Sequence, residues 1–158
     1  MREHIVDIGS YLLSSHLDDV LATRSLVSNV AICVHDQQRR LGGLFHFALP
    51  ECTISDNNPY LYGIPGLALF FEACYGAGMD PGRIRIGLAG GGGLPGNPVS
   101  SGLGSHNRRV LLDFLKKERL PIAAASLGQA ADACSLRLHI GTGKIMTFRI
   151  GCSEEEPL

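Results

Sequence analysis

An α+β layered sandwich, built on a mixed or antiparallel central sheet, is the fold that this chain predicts. Three observations carry it. Short β-branched runs dominate the first third, two helical stretches occupy the middle, and a hairpin-like pair of strands closes the chain. At 158 residues the chain is long enough for one domain with a core of its own. That domain is expected over residues 1–152, with the acidic segment 153–158 as a disordered tail.

Residues 5–13 and 19–23 read as short strands. Residues 26–35 are rich in Val and Ile, and the polar turn Asp36-Gln-Gln-Arg-Arg40 separates them from a second strand at 42–49. The two form a hairpin expected at the sheet centre, and Pro50 stops the second strand. Residues 51–60, with Asp56-Asn-Asn-Pro59, read as a surface loop. Pro65 suits a first helical turn, and residues 66–75 are apolar almost all round, which predicts a covered helix ended by Gly76 and Gly78. A strand at 83–89 runs into Gly90-Gly-Gly-Gly93-Leu-Pro-Gly-Asn-Pro98. Ser105 is a candidate N-cap for a helix over 107–118. There Val110, Leu111, Phe114 and Leu115 recur at helical spacing, opposite Arg108, Arg109, Lys116 and Lys117, which are read as a solvated basic face. Strands at 121–125, 136–140 and 145–150 complete the chain, the last two joined by Gly141-Thr-Gly143.

Composition excludes several classes. A formal net charge of -1 leaves no footprint for nucleic acid or an anionic membrane surface. The longest apolar run, 64–74, is broken by Pro65, Gly66 and Glu72 and is too short to span a bilayer. With no signal peptide at Met1-Arg-Glu-His4, a cytoplasmic protein is expected. Cys33, Cys52, Cys74, Cys134 and Cys152 form no CxxC pair, and the six His residues have no metal-ligand spacing. No metal or cofactor is expected. Gly90–Gly93 lacks the Gly-Lys-Ser/Thr of a nucleotide loop, and Pro95 and Pro98 stand where such a loop would open its helix, so it reads as a loop lining a groove.

The most informative stretches are Thr23-Arg-Ser-Leu-Val-Ser-Asn29 and Leu44-Phe-His46-Phe-Ala-Leu49-Pro50. Together they resemble the core of the CheD family of chemoreceptor glutamine deamidases, in which a Thr precedes Leu-Gly-Ser-Cys and the next strand ends in His-x-x-Leu-Pro. Further matches are Tyr62 at the opening of the first long helix, Ala89-Gly90-Gly91, Asn107 at the second helix, and Thr142-Gly143-Lys144 in the last hairpin. The resemblance runs from about residue 8 to 150. It implies a Cys nucleophile, His46 as its base and Thr23 supporting the His. It places Ser28, Tyr62, Gly90, Gly91 and Asn107 around a substrate groove.

At the nucleophile position this chain carries Asn29. A carboxamide has no nucleophilic form at neutral pH, whereas the reaction needs a thiolate and then a thioester that water hydrolyses. Val27 replaces a Gly, the Gly run leads to Leu94-Pro95, and Gly-Gly and Gly-Arg pairs are missing from Gly128-Gln-Ala-Ala-Asp-Ala-Cys134. Scaffold residues match while chemical ones differ. The chain is therefore expected to be a CheD-like chemotaxis protein without turnover that binds cytoplasmic receptor helices or a CheC-type phosphatase. The alternative is an active deamidase, with Asn29 an engineered replacement of Cys or another thiol, such as Cys134, in its place.

Overall fold

A computed structural model describes residues 1–52, 58–128 and 133–158. The expected first strand, 5–13, is two strands in different sheets: β1 (Arg2–Ile5) and β2 (Ser10–Ser14). Gly9, at φ 80, turns the chain between them, and a Cβ there would lie 2.8 Å from the Leu61 side chain. Apolar residues continue through Val6 and Ile8, which is why pattern alone reads one strand across the break.

β3 (Asp19–Ala22) follows, and then the central hairpin of β4 (Val30–Asp36) and β5 (Leu41–Phe47), antiparallel from Val30 opposite Phe47 to Asp36 opposite Leu41. The strand expected from residue 26 starts only at Val30, so residues 27–29 form an irregular approach to it. α1 (Gly63–Gly76) has Pro65 in its first turn, as expected, and begins three residues earlier than its apolar run. β6 (Ile84–Gly90) pairs antiparallel with β4.

α2 (Pro98–Lys117) starts well before the Ser105 cap expected from the sequence. Its N-cap is Asn97, whose side chain accepts from the Ser100 N–H at 3.1 Å, and Pro98 takes the first helical position, where its missing N–H costs nothing. Pro98 therefore opens the helix, where the sequence pattern predicts a barrier to it. The remaining strands are β7 (Ala124–Leu127), β8 (Cys134–His139), β9 (Ile145–Arg149) and β10 (Glu156–Pro157). β10 corrects the disordered-tail expectation. It pairs antiparallel with β9, and Glu155 accepts from Arg137 and faces His139 Nε2 at 2.8 Å. Partners from β8 and β9 therefore order a segment that composition alone reads as solvated.

The strands form two mixed five-stranded sheets, β2-β5-β4-β6-β7 and β1-β3-β8-β9-β10. Alternation along the central strands assigns their faces. Val30, Ile32, Val34, Phe45, Phe47, Ile86 and Leu88 pack beneath the helices with Leu67, Phe70 and Leu111. Ala31, Cys33, Leu44 and Ala89 face the second sheet at Leu21, Leu136 and Leu138. The order is helices, sheet, sheet. β4 is buried along its whole length because both faces are covered, which is why it reads as an unbroken apolar run. The second sheet as a separate layer is not visible in the sequence, which predicts a single central sheet. The loop expected at 51–60 includes residues 53–57, which lie outside the described residues; after them Pro59–Leu61 forms a 3-10 turn capped by Asn58.

Candidate active site

His46 sits near the end of β5, opposite Ala31 on one side and Ser10 on the other. By alternation it faces the second sheet and lies at the seam where β1 and β2 diverge. Val6, in the connection between them, turns its carbonyl to His46 Nδ1 at 3.2 Å. A carbonyl can only accept, so Nδ1 carries the proton and Nε2 presents a lone pair. Asn29 Nδ2 lies 2.7 Å from that Nε2 and donates to it. The amide is oriented at its other end as well, because Asn29 Oδ1 accepts from the Val27 N–H at 2.7 Å. One consistent chain runs from Val6 through the imidazole and the carboxamide to Val27.

The ring is 2% exposed. Burial pushes the His46 pKa below the ordinary value, and the Val6 carbonyl and the Asp7 carboxylate oppose the shift without reversing it. The imidazole is thereby held neutral, the form that a general base needs. A cavity of about 280 Å³ opens over the pair, lined by Val6, Asp7, Ile8, Arg24, Ser25, Asn29 and His46.

Thr23 is buried, and its Oγ1 accepts from the Leu136 N–H at 3.0 Å. The expected support of His46 by Thr23 is replaced by the Val6 carbonyl; Thr23 instead ties β3 to β8. None of the five residues assigned to the groove lines the cavity. Asn107 is fully buried and donates from Nδ2 to the carbonyls of Ser28 and Ala48, both at 2.9 Å, so it clamps the approaches to β4 and the exit from β5. Tyr62 is the N-cap residue of α1 and bridges to Leu49. Gly91 donates its N–H to the Asn29 carbonyl at 2.9 Å, and a Cβ on Gly90 would lie 2.2 Å from that same oxygen. Gly90 and Gly91 thus lie against the Asn29 backbone. Arg108, expected in the solvated basic face, is half-buried and lies against Gly91 and Gly128.

Sequence reasoning missed Val6, Asp7, Ile8, Arg24 and Ser25. Arg24 and Ser25 fall inside the Thr23–Asn29 stretch, whose family resemblance is the signal that points to them. Val6 acts through its backbone and left no signal in residue type. Cys33 and Cys74 are buried, and burial pushes both thiols up to about 12, which removes the thiolate needed of a substitute nucleophile. Cys134 opens β8, is 7% exposed and is not among the residues around the cavity. Most of the degenerate segment preceding it, residues 129–132, lies outside the described residues. Among the described residues no cluster of His, Cys, Asp and Glu could hold a metal ion, and no helix is long and apolar enough to cross a membrane.

The family described as CheD chemotactic sensory transduction matches residues 48–149. The chain belongs to the CheD family. Similarity to CheD relatives extends beyond that segment and takes in the Asn29 and His46 region. The chain is 27% identical over 155 residues to the probable chemoreceptor glutamine deamidase CheD 1 of Syntrophus aciditrophicus, covering 96% of each chain. It is 26% identical over 159 residues to the probable chemoreceptor glutamine deamidase CheD of Solibacter usitatus, covering 98% of this chain and 94% of that one. The probable chemoreceptor glutamine deamidase CheD of Xanthomonas campestris is 32% identical over 110 residues, covering 70% of this chain and 56% of the relative.

Proposed function

We propose that this CheD-family protein binds cytoplasmic helices of chemoreceptors at the His46 cavity and does not deamidate them. The observation that carries the reading is the Asn29 carboxamide, whose Nδ2 lies 2.7 Å from the neutral face of His46. That is the distance at which the family's nucleophile would surrender a proton to its base, yet an amide N–H cannot become a thiolate. His46 has a partner and nothing to activate. The names of the relatives supply the substrate class, a glutamine on a chemoreceptor. A CheC-type phosphatase is a second partner in this reading.

The test combines titration with mass spectrometry. A receptor cytoplasmic segment should bind, and its glutamine peptides should show no mass increase after prolonged incubation. A mass increase matching amide-to-acid conversion would restore the active deamidase. Absence of binding, where an active CheD binds the same segment, would remove the receptor role.

A further inference from the structure

The Asn29 carboxamide lines the His46 cavity with both ends engaged, its oxygen on the Val27 N–H and its nitrogen on His46 Nε2, each at 2.7 Å. We infer that the cavity above it recognises a side-chain carboxylate on the receptor, glutamate in place of glutamine; the inference rests on the receptor-binding reading proposed above. An incoming carboxamide brings two N–H donors and one acceptor. Two acceptors at the cavity are already engaged, because His46 Nε2 takes Asn29 and the Val6 carbonyl takes Nδ1, which leaves the Ser25 hydroxyl as the neutral side-chain acceptor for those donors. Of the charged groups around the cavity, Asp7 alone accepts. It stands at the lip, with a side chain 74% exposed and Arg24 Nε 3.6 Å away.

A carboxylate brings acceptors only. It meets the second N–H of the Asn29 amide, the Ser25 hydroxyl and the Arg24 guanidinium. Arg24 offsets the charge of Asp7, so the lip is neutral as a whole. A family member with a thiolate at this position would carry a negative charge facing the product carboxylate. Asn29 removes that repulsion and keeps a donor there. A catalyst that expels glutamate thus becomes a reader of it.

The experiment uses one recombinant receptor cytoplasmic segment in two forms, glutamine or glutamate at its modified positions, titrated into the full chain. The glutamate form should bind about tenfold more tightly, the scale of one charge-assisted hydrogen bond. Asn29→Ala vacates the amide seat, freeing the Val27 N–H and His46 Nε2, so it should gain affinity for the glutamine form and lose the preference for glutamate. Arg24→Gln, at a 76% exposed side chain, should fold normally and lower glutamate binding more than glutamine binding, which keeps the inference testable if Asn29→Ala misfolds. Equal affinity, or a preference for glutamine, in the unaltered protein overturns the inference. So does an unchanged preference in a folded Asn29→Ala or in Arg24→Gln. Binding of neither form overturns the receptor-binding reading itself.

Discussion

At the scale of single residues, the site turns on one atom pair. Asn29→Cys should place a thiol against His46 Nε2, with the imidazole still held by Val6. The thiol can pass its proton to the Nε2 lone pair, and the imidazolium so formed stabilises the thiolate, so the new pKa should fall below the free value of about 8.5, whereas Cys33 and Cys74 are pushed up to about 12. Iodoacetamide should therefore label position 29 ahead of both. Labelling no faster than that of Cys33 would mean that His46 does not act as its base. A second expectation concerns stability. Burial lowers the pKa of both His46 and His35; His35 Nε2 donates to the Ile140 carbonyl at 2.8 Å, and its Nδ1 is buried without a hydrogen-bond partner. The unfolded chain takes up protons at the ordinary value near 6.5, while the folded chain resists them. Stability should thus fall as pH drops below about 6.5, by at most about 1.4 kcal/mol per pH unit for each histidine. Urea midpoints at about pH 7.5 and about 5.5 measure the slope, and His46→Gln should flatten it.

At the scale of elements, the docking of α2 on the glycine run is the contact most exposed to test. Gly104 lies where an added Cβ would sit 1.7 Å from the Gly92 carbonyl oxygen, whereas nothing lies within 4 Å of a Cβ on Gly102. Gly104→Ala should push the helix off the loop that holds Asn29 and cost about 2–3 kcal/mol by overpacking. Gly102→Ala, two residues away on the exposed side, should be neutral or stabilising by about 0.5–1 kcal/mol, because Ala favours helix. Thermal melts of the pair would expose an error if both behaved alike. The same helix marks the limit of what the sequence discloses. The periodicity of Val110, Leu111, Phe114 and Leu115 reveals its second half. The first half, Pro98 to His106, has little apolar period, and it is helical because Asn97 caps it and Gly104 admits the loop. The β4–β5 hairpin is legible because burial on both faces leaves an unbroken apolar run. The break at Gly9 is not, because residues on both sides share one apolar pattern while serving two sheets. In the site, Asn29 and His46 are legible as residue types. The Val6 carbonyl is not, because every residue but its neighbours' geometry offers the same group.

At the scale of the whole molecule, the last residues close the second sheet. Glu155 pairs with Arg137 and His139, the Leu158 N–H donates to the Ile145 carbonyl at 3.1 Å, and the Leu158 side chain packs against the inter-sheet core. Removing residues 153–158 strips Glu155 from Arg137, whose side chain is only 13% exposed, and Leu158 from Ile145. The truncated chain should lose about 1–2 kcal/mol, read as a lower melting temperature, since a largely buried cation is left with Glu3 as its ion-pair partner among the described residues. An unchanged melting temperature would return the tail to the solvated status that its composition suggests.

The Val6 carbonyl, forty positions from His46 along the chain, belongs to the short link between two strands that part into different sheets. No local turn can deliver it. It reaches the imidazole only when β1 has found β3 and β2 has found β5, so the tautomer of His46 is a product of final assembly. During refolding the β4–β5 hairpin, closed by four residues, should gain protected amides first, and the imidazole nitrogen signal of His46 should reach its native position in the slowest phase. The ring is in this sense a clock for the molecule: it reports the moment at which the two sheets meet.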